Sequence, residues 1–371
     1  MTTPDPTMRA VAVRPGVAGS IHTRTVPRPG VDDVPDGRGV LVQVIQVGLC
    51  GTDEEICKGL FGDAPDGDDF LILGHENLGR VVAVGPAVPP EIAVGGIVVA
   101  TVRRPGSSEY DHLGMQDFTT EPARERGIRQ LHGFLSESYV DDASFLVPLP
   151  SSLAAVGVLL EPLSIVEKGL HQADEIQRRL RIWRPQRAAV IGAGSIGLLA
   201  TLLLRQREVE VTVVSRRAGP YRNRDLVEAL GARYLSTTDT TLAAASAARG
   251  PFDLIFEASG HSPLAFEAAR ILGPNGVLVL CGVTSGRITI QIEADTINQG
   301  FVLGNKVMVG TVNSSRDDFR RGVEDMLRAE AFHPGWLGQL LTTRIDGLDD
   351  AAAVMAASED PDTIKAYVEL G

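Results

Sequence analysis

Residues 188–208 read AAVIGAGSIGLLATLLLRQRE, an apolar run followed by three glycines at fixed spacing and a leucine-rich stretch. Gly192, Gly194 and Gly197 fill the three positions of G-x-G-x-x-G, with Ser195 and Ile196 at the start of the helix that follows. Each glycine has a separate physical task. The first permits a tight turn, the second lets the backbone approach a pyrophosphate, and the third allows the helix to lie close to the strand. The helix N-terminus then offers its unpaired N–H groups to the anion. A glycine-rich turn without a ligand is the alternative. The order strand (188–192), glycines, helix (196–208) and second strand argues against it, because the bare motif gains its meaning from that context.

The second strand, VEVTVVS (209–215), decides which dinucleotide fits. An NAD site keeps an Asp or Glu near this strand end to bind the ribose 2′-hydroxyl. Here the chain carries Ser215, Arg216 and Arg217. Serine does not repel a phosphate, and the arginine fork suits phosphate oxygens. NADP is expected, with NAD as the alternative; the plainer reading is two solvated arginines at a strand end.

Around this unit the chain divides in two. The first part holds valine-rich, alternating segments at 40–48, 79–85 and 95–102, broken by Gly and Pro, and reads as a β-rich module. Further on, predicted strands at 188–192, 209–215, 253–259, 276–282 and 306–312 are separated by helix-length segments, the pattern of a doubly wound parallel sheet. The tail reads as helical, with a last strand in IKAYVEL. The fold class is α/β, with domains expected at 1–165, completed by 316–371, and at 166–315.

Composition removes several function classes. The chain has 371 residues and a formal charge of −12, which disfavours nucleic acid and anionic membranes as general partners. The basic run QRRLRIWRPQR (177–187) reads as a solvated helix face. No apolar run reaches the roughly 18 residues of a membrane span, and the start lacks a secretory pattern. Three cysteines are too few for a disulfide framework, so the expected setting is a reducing cytoplasm and the expected partner a small soluble molecule.

Those few cysteines sharpen the question of Cys50, which stands in GLCGTDEE directly after a predicted strand. LGHENLG supplies His75 and Glu76, and LLEPLSIV supplies Glu161. Taken singly these are an apolar thiol, a core histidine and two ordinary glutamates. Together, beside a dinucleotide fold, thiolate, imidazole and carboxylate form a donor set for one catalytic zinc, with a last position for water or substrate. Cys57 and Cys281 read as small apolar residues.

The motifs GLCGTD, GHENLG, EPLS and GAGSIG, in that order over nearly the whole chain, resemble the zinc-containing medium-chain dehydrogenases. ERGI (125–128), HGFLSESYVDD (132–142), the arginines after the second strand and GTVN are similar to the glucose dehydrogenase branch. The resemblance implies a GroES-like catalytic domain, a Rossmann domain, hydride transfer between NADP(H) and an alcohol or carbonyl, and a homo-oligomer, dimer or tetramer. It makes Thr52 the proton-relaying hydroxyl and Asp53 a carboxylate orienting the metal site. Either Glu76 or Glu161 exchanges with water on zinc. Many relatives hold a structural zinc through four closely spaced cysteines; the corresponding stretch, TVRRPGSSEYDHLGMQDFTTEP, has none, so no such site is expected.

For the substrate, Glu125 and Asn313 match sugar-contacting positions of the branch, Asn313 standing also with the cofactor-binding set. Three other positions depart from it: an Asn becomes Val102, an Asp becomes Ile165 and a His becomes Leu303. A buried sugar hydroxyl left without a partner costs about 1–3 kcal/mol. The expected substrate is therefore a sugar, polyol or biosynthetic alcohol with an apolar edge. Glucose 1-dehydrogenase and a non-catalytic NADPH-binding protein are the alternatives.

Overall fold

The computed structural model describes residues 5–283 and 286–371. It forms two compact units, one of Met1–Glu161, Asn313–Leu327 and Leu337–Gly371, the other of Pro162–Val312 and Arg328–Trp336. Among the described residues no helix is long and apolar enough to cross a membrane.

The second unit is built on six parallel strands ordered Arg233–Ser236, Glu210–Ser215, Arg187–Ile191, Phe252–Glu257, Leu272–Leu280, Val307–Gly310. The first strand in sequence lies in the middle and the order reverses beside it, so strand ends diverge there and leave room for a ligand. Val190, Val213, Ile255 and Leu278 are buried, as parallel strands covered on both faces require. All five expected strands take part. The sixth, Arg233–Ser236, escapes a pattern reading because its four residues, RYLS, are too few to show alternation. Helix Ser195–Gln206 follows the glycines; its leucines and alanines favour helix, and Gly197 to Leu204 are buried without interruption.

The first unit centres on one long strand, Gly39–Leu49. Glu76–Val84, Ser138–Asp142 and Lys365–Glu369 all pair with it antiparallel. Register matters here, since Gly48 faces Glu76 and Leu49 faces Ala366. Chain segments far apart in sequence therefore meet where Leu49 hands over to Cys50. The tail supplies two strands where one was expected: Leu341–Asp346 lies parallel to Lys365–Glu369 and is masked in sequence by its threonines. The core beneath includes Val42, Val47, Leu73, Phe134 and Leu135. Truncating Phe134, which is fully buried, to alanine would cost about 3–5 kcal/mol.

Candidate metal centre and dinucleotide turn

Cys50 is the residue on which strand becomes helix. It caps helix Gly51–Cys57 in an extended conformation, and its Sγ accepts a hydrogen bond from the Thr52 N–H at 3.3 Å. Asp53 completes the cap by accepting from the Cys50 N–H at 3.0 Å, while its other oxygen accepts from the Gly74 N–H at 3.3 Å. The same carboxylate lies 3.6 Å from His75 Nδ1. One aspartate thus sets both the thiol and the imidazole, the usual service of a carboxylate standing behind a metal-binding histidine.

Donor atoms of Cys50, His75 and Glu76 lie within 4.8 Å of one another, and Cys50 Sγ is 3.1 Å from His75 Nε2. Glu76 reaches inward because residue 48 is glycine: a Cβ there would come within 2.1 Å of Glu76 Oε2. Burial opposes charge on His75 most strongly, yet the Cys50 sulfur and the Asp53 carboxylate together outweigh it and hold the imidazole pKa well above its ordinary value. The pocket is short of positive charge. A divalent cation meets that need, and sulfur, nitrogen and oxygen donors are those zinc takes.

A residue that the sequence reading missed supplies part of the charge. Lys365, only 2% exposed, donates to both Glu76 oxygens at 2.6 and 2.7 Å and to the Leu49 carbonyl at 3.3 Å. It lies 289 residues from Glu76, and its one trace in the sequence is a cation within the otherwise apolar run IKAYV. Glu161 is buried beside the same group. Burial, with repulsion from Glu76 and Asp53 and despite His75 and Lys365, pushes its pKa up to about 7. Thr52 is half-buried next to Cys50.

Glu125 and Asn313 also meet within the first unit. Asn313 donates to Glu125 Oε1 at 2.9 Å, and Arg103 donates to the same oxygen through Nε and Nη2 at 3.1 and 2.8 Å. Arg103 is the second residue missed in sequence. Val102 packs in the apolar core, offering no polar atom from its side chain. Ile165 is half-buried on helix Leu160–Gln177, and Leu303 is 75% exposed on helix Ala294–Gly304.

In the second unit the three glycines differ as the motif requires. Gly192 turns the chain at φ +107°, and a Cβ at Gly197 would come within 2.0 Å of the Gly192 carbonyl oxygen. A Cβ at Gly194 would meet nothing within 4 Å. No side chain caps the N-terminus of helix Ser195–Gln206, leaving Ser195 and Ile196 at an open anion-binding end. Ser215 is half-buried at its strand end, and Arg216 and Arg217 are exposed beyond it. This cradle fits a dinucleotide pyrophosphate, with cations at hand for a further phosphate.

Comparison with known proteins agrees with these features. Residues 36–151 match the alcohol dehydrogenase GroES-like domain, and residues 154–370 match the glucose dehydrogenase C-terminus. The chain is 40% identical over 369 residues to a glucose 1-dehydrogenase of Methanocella arvoryzae, covering 98% of this chain and 100% of the relative. It is 39% identical over 367 residues to glucose 1-dehydrogenase 1 of Caldivirga maquilingensis, covering 98% and 99%. Among solved structures, Haloferax mediterranei glucose dehydrogenase in complex with NADP, Zn and gluconolactone superposes with a TM-score of 0.88 at 33% identity, covering 98% of this chain and 99% of that one.

Proposed function

The chain belongs to the glucose dehydrogenase branch of the zinc-containing medium-chain dehydrogenases, and from that premise we propose that it is an NADP-dependent zinc oxidoreductase acting on a secondary alcohol or carbonyl of a sugar, polyol or related biosynthetic alcohol. One observation carries the reading: sulfur, imidazole and carboxylate donors converge within 4.8 Å in a chain that also carries an uncapped glycine turn with arginines beyond the next strand. Zinc, when bound, supplies a Lewis acid for the substrate oxygen, and the nicotinamide supplies the hydride acceptor or donor.

The protein's own residues do the placing. Cys50 and His75 hold the metal with Glu76 or Glu161, and Asp53 fixes the first two. Thr52 passes the proton between the reacting oxygen and the cofactor ribose or solvent. The first unit is the catalytic domain. The second binds the nucleotide through Gly192, Gly194, Ser195, Ile196 and Gly197, and reads its 2′-phosphate through Ser215, Arg216 and Arg217. Glu125 takes a substrate hydroxyl, its charge held in place by Arg103 and Asn313.

Glucose is the second reading, favoured by the names of the relatives and by Glu125 and Asn313. Val102 and Ile165, standing where the branch has Asn and Asp, weigh against it, since neither offers a hydrogen bond to a sugar hydroxyl; Leu303, 75% exposed on its helix, carries no weight in the choice. Steady-state kinetics on glucose, galactose, xylose and less oxygenated alcohols, with both cofactors, test the choice. A specificity constant on glucose below about 10⁴ M⁻¹s⁻¹, exceeded by a less oxygenated alcohol, is expected. A value above that figure on glucose would remove the argument from those two positions.

Self-association and a cytoplasmic setting complete the proposal. Val283, Ile288, Ile290, Ile292, Val302 and Leu303 are exposed in the second unit, and strand Val307–Gly310 ends its sheet among the described residues. A terminal strand and exposed apolar surface each invite a second copy. Sedimentation should show an oligomer that Ile290→Lys dissociates; a monomeric wild-type chain would end this part. Cys50, Cys57 and Cys281 form no disulfide among the described residues, which suits a reducing compartment.

A further inference from the structure

Beyond the strand end at Ser215 lies a group of bonds that neither the motif nor the arginine pair explains. The Tyr234 hydroxyl donates to the Arg217 carbonyl at 2.7 Å. It also lies 2.8 Å from the Tyr221 hydroxyl. A phenol has one proton to give. With that proton spent on Arg217, the second bond runs from the Tyr221 hydroxyl to the Tyr234 oxygen. The two rings stand edge to face, their centroids 5.6 Å apart at 77°. Over the face of Tyr221, at 4.7 Å from its centroid, sits the guanidinium carbon of Arg217. Arg217 is therefore held twice, its carbonyl by Tyr234 and its cation by the ring of Tyr221.

Neighbouring bonds extend this anchorage. Ser236 Oγ donates to the Arg216 carbonyl at 3.2 Å, so both arginines are pinned through their backbones. Asn223, in the first turn of helix Arg222–Ala229, donates to the Ala193 carbonyl inside the glycine turn at 2.7 Å. The arginine tip and the pyrophosphate turn are thus tied together, which sets the spacing between two phosphate-binding points.

We propose that Tyr221 and Tyr234 are positioning residues for cofactor choice, holding Arg217 ready to take the phosphate monoester on the adenosine ribose. The inference rests on the NADP reading given above. An exposed arginine ordinarily loses side-chain freedom when it binds, and ordering it beforehand lowers that cost. A guanidinium over a ring face keeps its N–H edges in its own plane, the orientation in which the fork meets phosphate oxygens. Neither tyrosine needs to touch the cofactor.

The test uses the full-length protein and isothermal titration with 2′,5′-ADP, with 5′-AMP as the ligand lacking the second phosphate. Tyr221→Leu, which removes ring and hydroxyl, should weaken 2′,5′-ADP by about two- to fivefold and leave 5′-AMP unchanged. Tyr221→Phe keeps the ring and should recover most of that loss, whereas Tyr234→Phe should lose about as much as Tyr221→Leu because both hydroxyl links go. Circular dichroism and thermal melts verify that each variant is folded. Unchanged 2′,5′-ADP binding in Tyr221→Leu, or an equal loss for both ligands, would overturn the proposal. A double variant, Arg216→Ala with Arg217→Ala, separates this failure from that of the underlying reading. It should weaken 2′,5′-ADP at least about tenfold with 5′-AMP unchanged; if it does not, the assignment of NADP fails as well.

Discussion

The metal centre and the arginine tip solve opposite problems. The first is buried and charged: Asp53, His75, Glu76, Glu161 and Lys365 are all nearly inaccessible, and each needs a partner because an isolated buried charge is expensive. The second is exposed and cationic, and its difficulty is entropy, since a long side chain in water keeps its freedom unless something restrains it. In the first region pairing comes from remote parts of the chain, as Lys365 reaches Glu76 across 289 residues. In the second it comes from close by, with Tyr221 four residues from Arg217 and Tyr234 seventeen. Burial makes a site depend on the whole fold; exposure lets a site be written locally.

Removing the long-range partner is the most severe way to break this contrast. Lys365→Met leaves Glu76 buried without its cation and should destabilise the metal-free protein by about 3–5 kcal/mol in urea unfolding. Adding Glu76→Gln should restore a good part of the loss, because the orphaned charge is gone. A loss under 1 kcal/mol in the single variant would show that water or another cation takes the lysine's place.

That contrast also governs what could be read beforehand. Gly192, Gly194 and Gly197 are legible because their spacing reports turn, approach and packing within six residues. Cys50, His75 and Glu76 are legible as zinc donor types beside a dinucleotide fold, His75 and Glu76 being adjacent, whereas Asp53 enters only through the family resemblance. The sheet followed from strand and helix periods, except for short strands such as Arg233–Ser236 that carry too few residues to show a period. Lys365 and Arg103 were not legible. Their meaning depends on strand register, which brings Leu49 opposite Ala366 and Arg103 opposite Glu125, and no local pattern encodes such pairings.

A second prediction concerns chemistry within the buried region. Thr52→Val keeps shape and removes the hydroxyl, so kcat should fall by about 10²-fold with the NADPH dissociation constant unchanged, measured by stopped-flow and fluorescence titration. Turnover within a few-fold of wild type would move the proton path to another group. Equal losses in turnover and NADPH binding would mean that the substitution acts on nucleotide binding and not on the proton path alone.

The smallest effect follows from Glu161. In the folded, metal-free chain its carboxyl keeps its proton up to about 7, against an ordinary value of 4.5. Between these values the unfolded chain has released a proton that the folded chain retains, so this group's contribution to stability falls as pH rises through the window and levels off above it. Ligation requires the opposite state, the bare carboxylate. If Glu161 binds the metal, zinc affinity should rise by up to about tenfold per pH unit towards pH 7 from this group. The difference between wild type and Glu161→Gln, followed by chelator competition, isolates it. Identical profiles would give the ligand role to Glu76 alone.

Metal content and nucleotide binding measured on the same purified samples test the central claim most directly. Elemental analysis of wild-type protein expressed with ample zinc should give about one zinc per chain, and Cys50→Ser should lose both the zinc and turnover while binding NADPH with unchanged affinity. Two zincs per chain, none, or a joint loss of zinc and NADPH binding in the variant would contradict a single catalytic metal held by the β-rich unit and a cofactor site that is built independently of it.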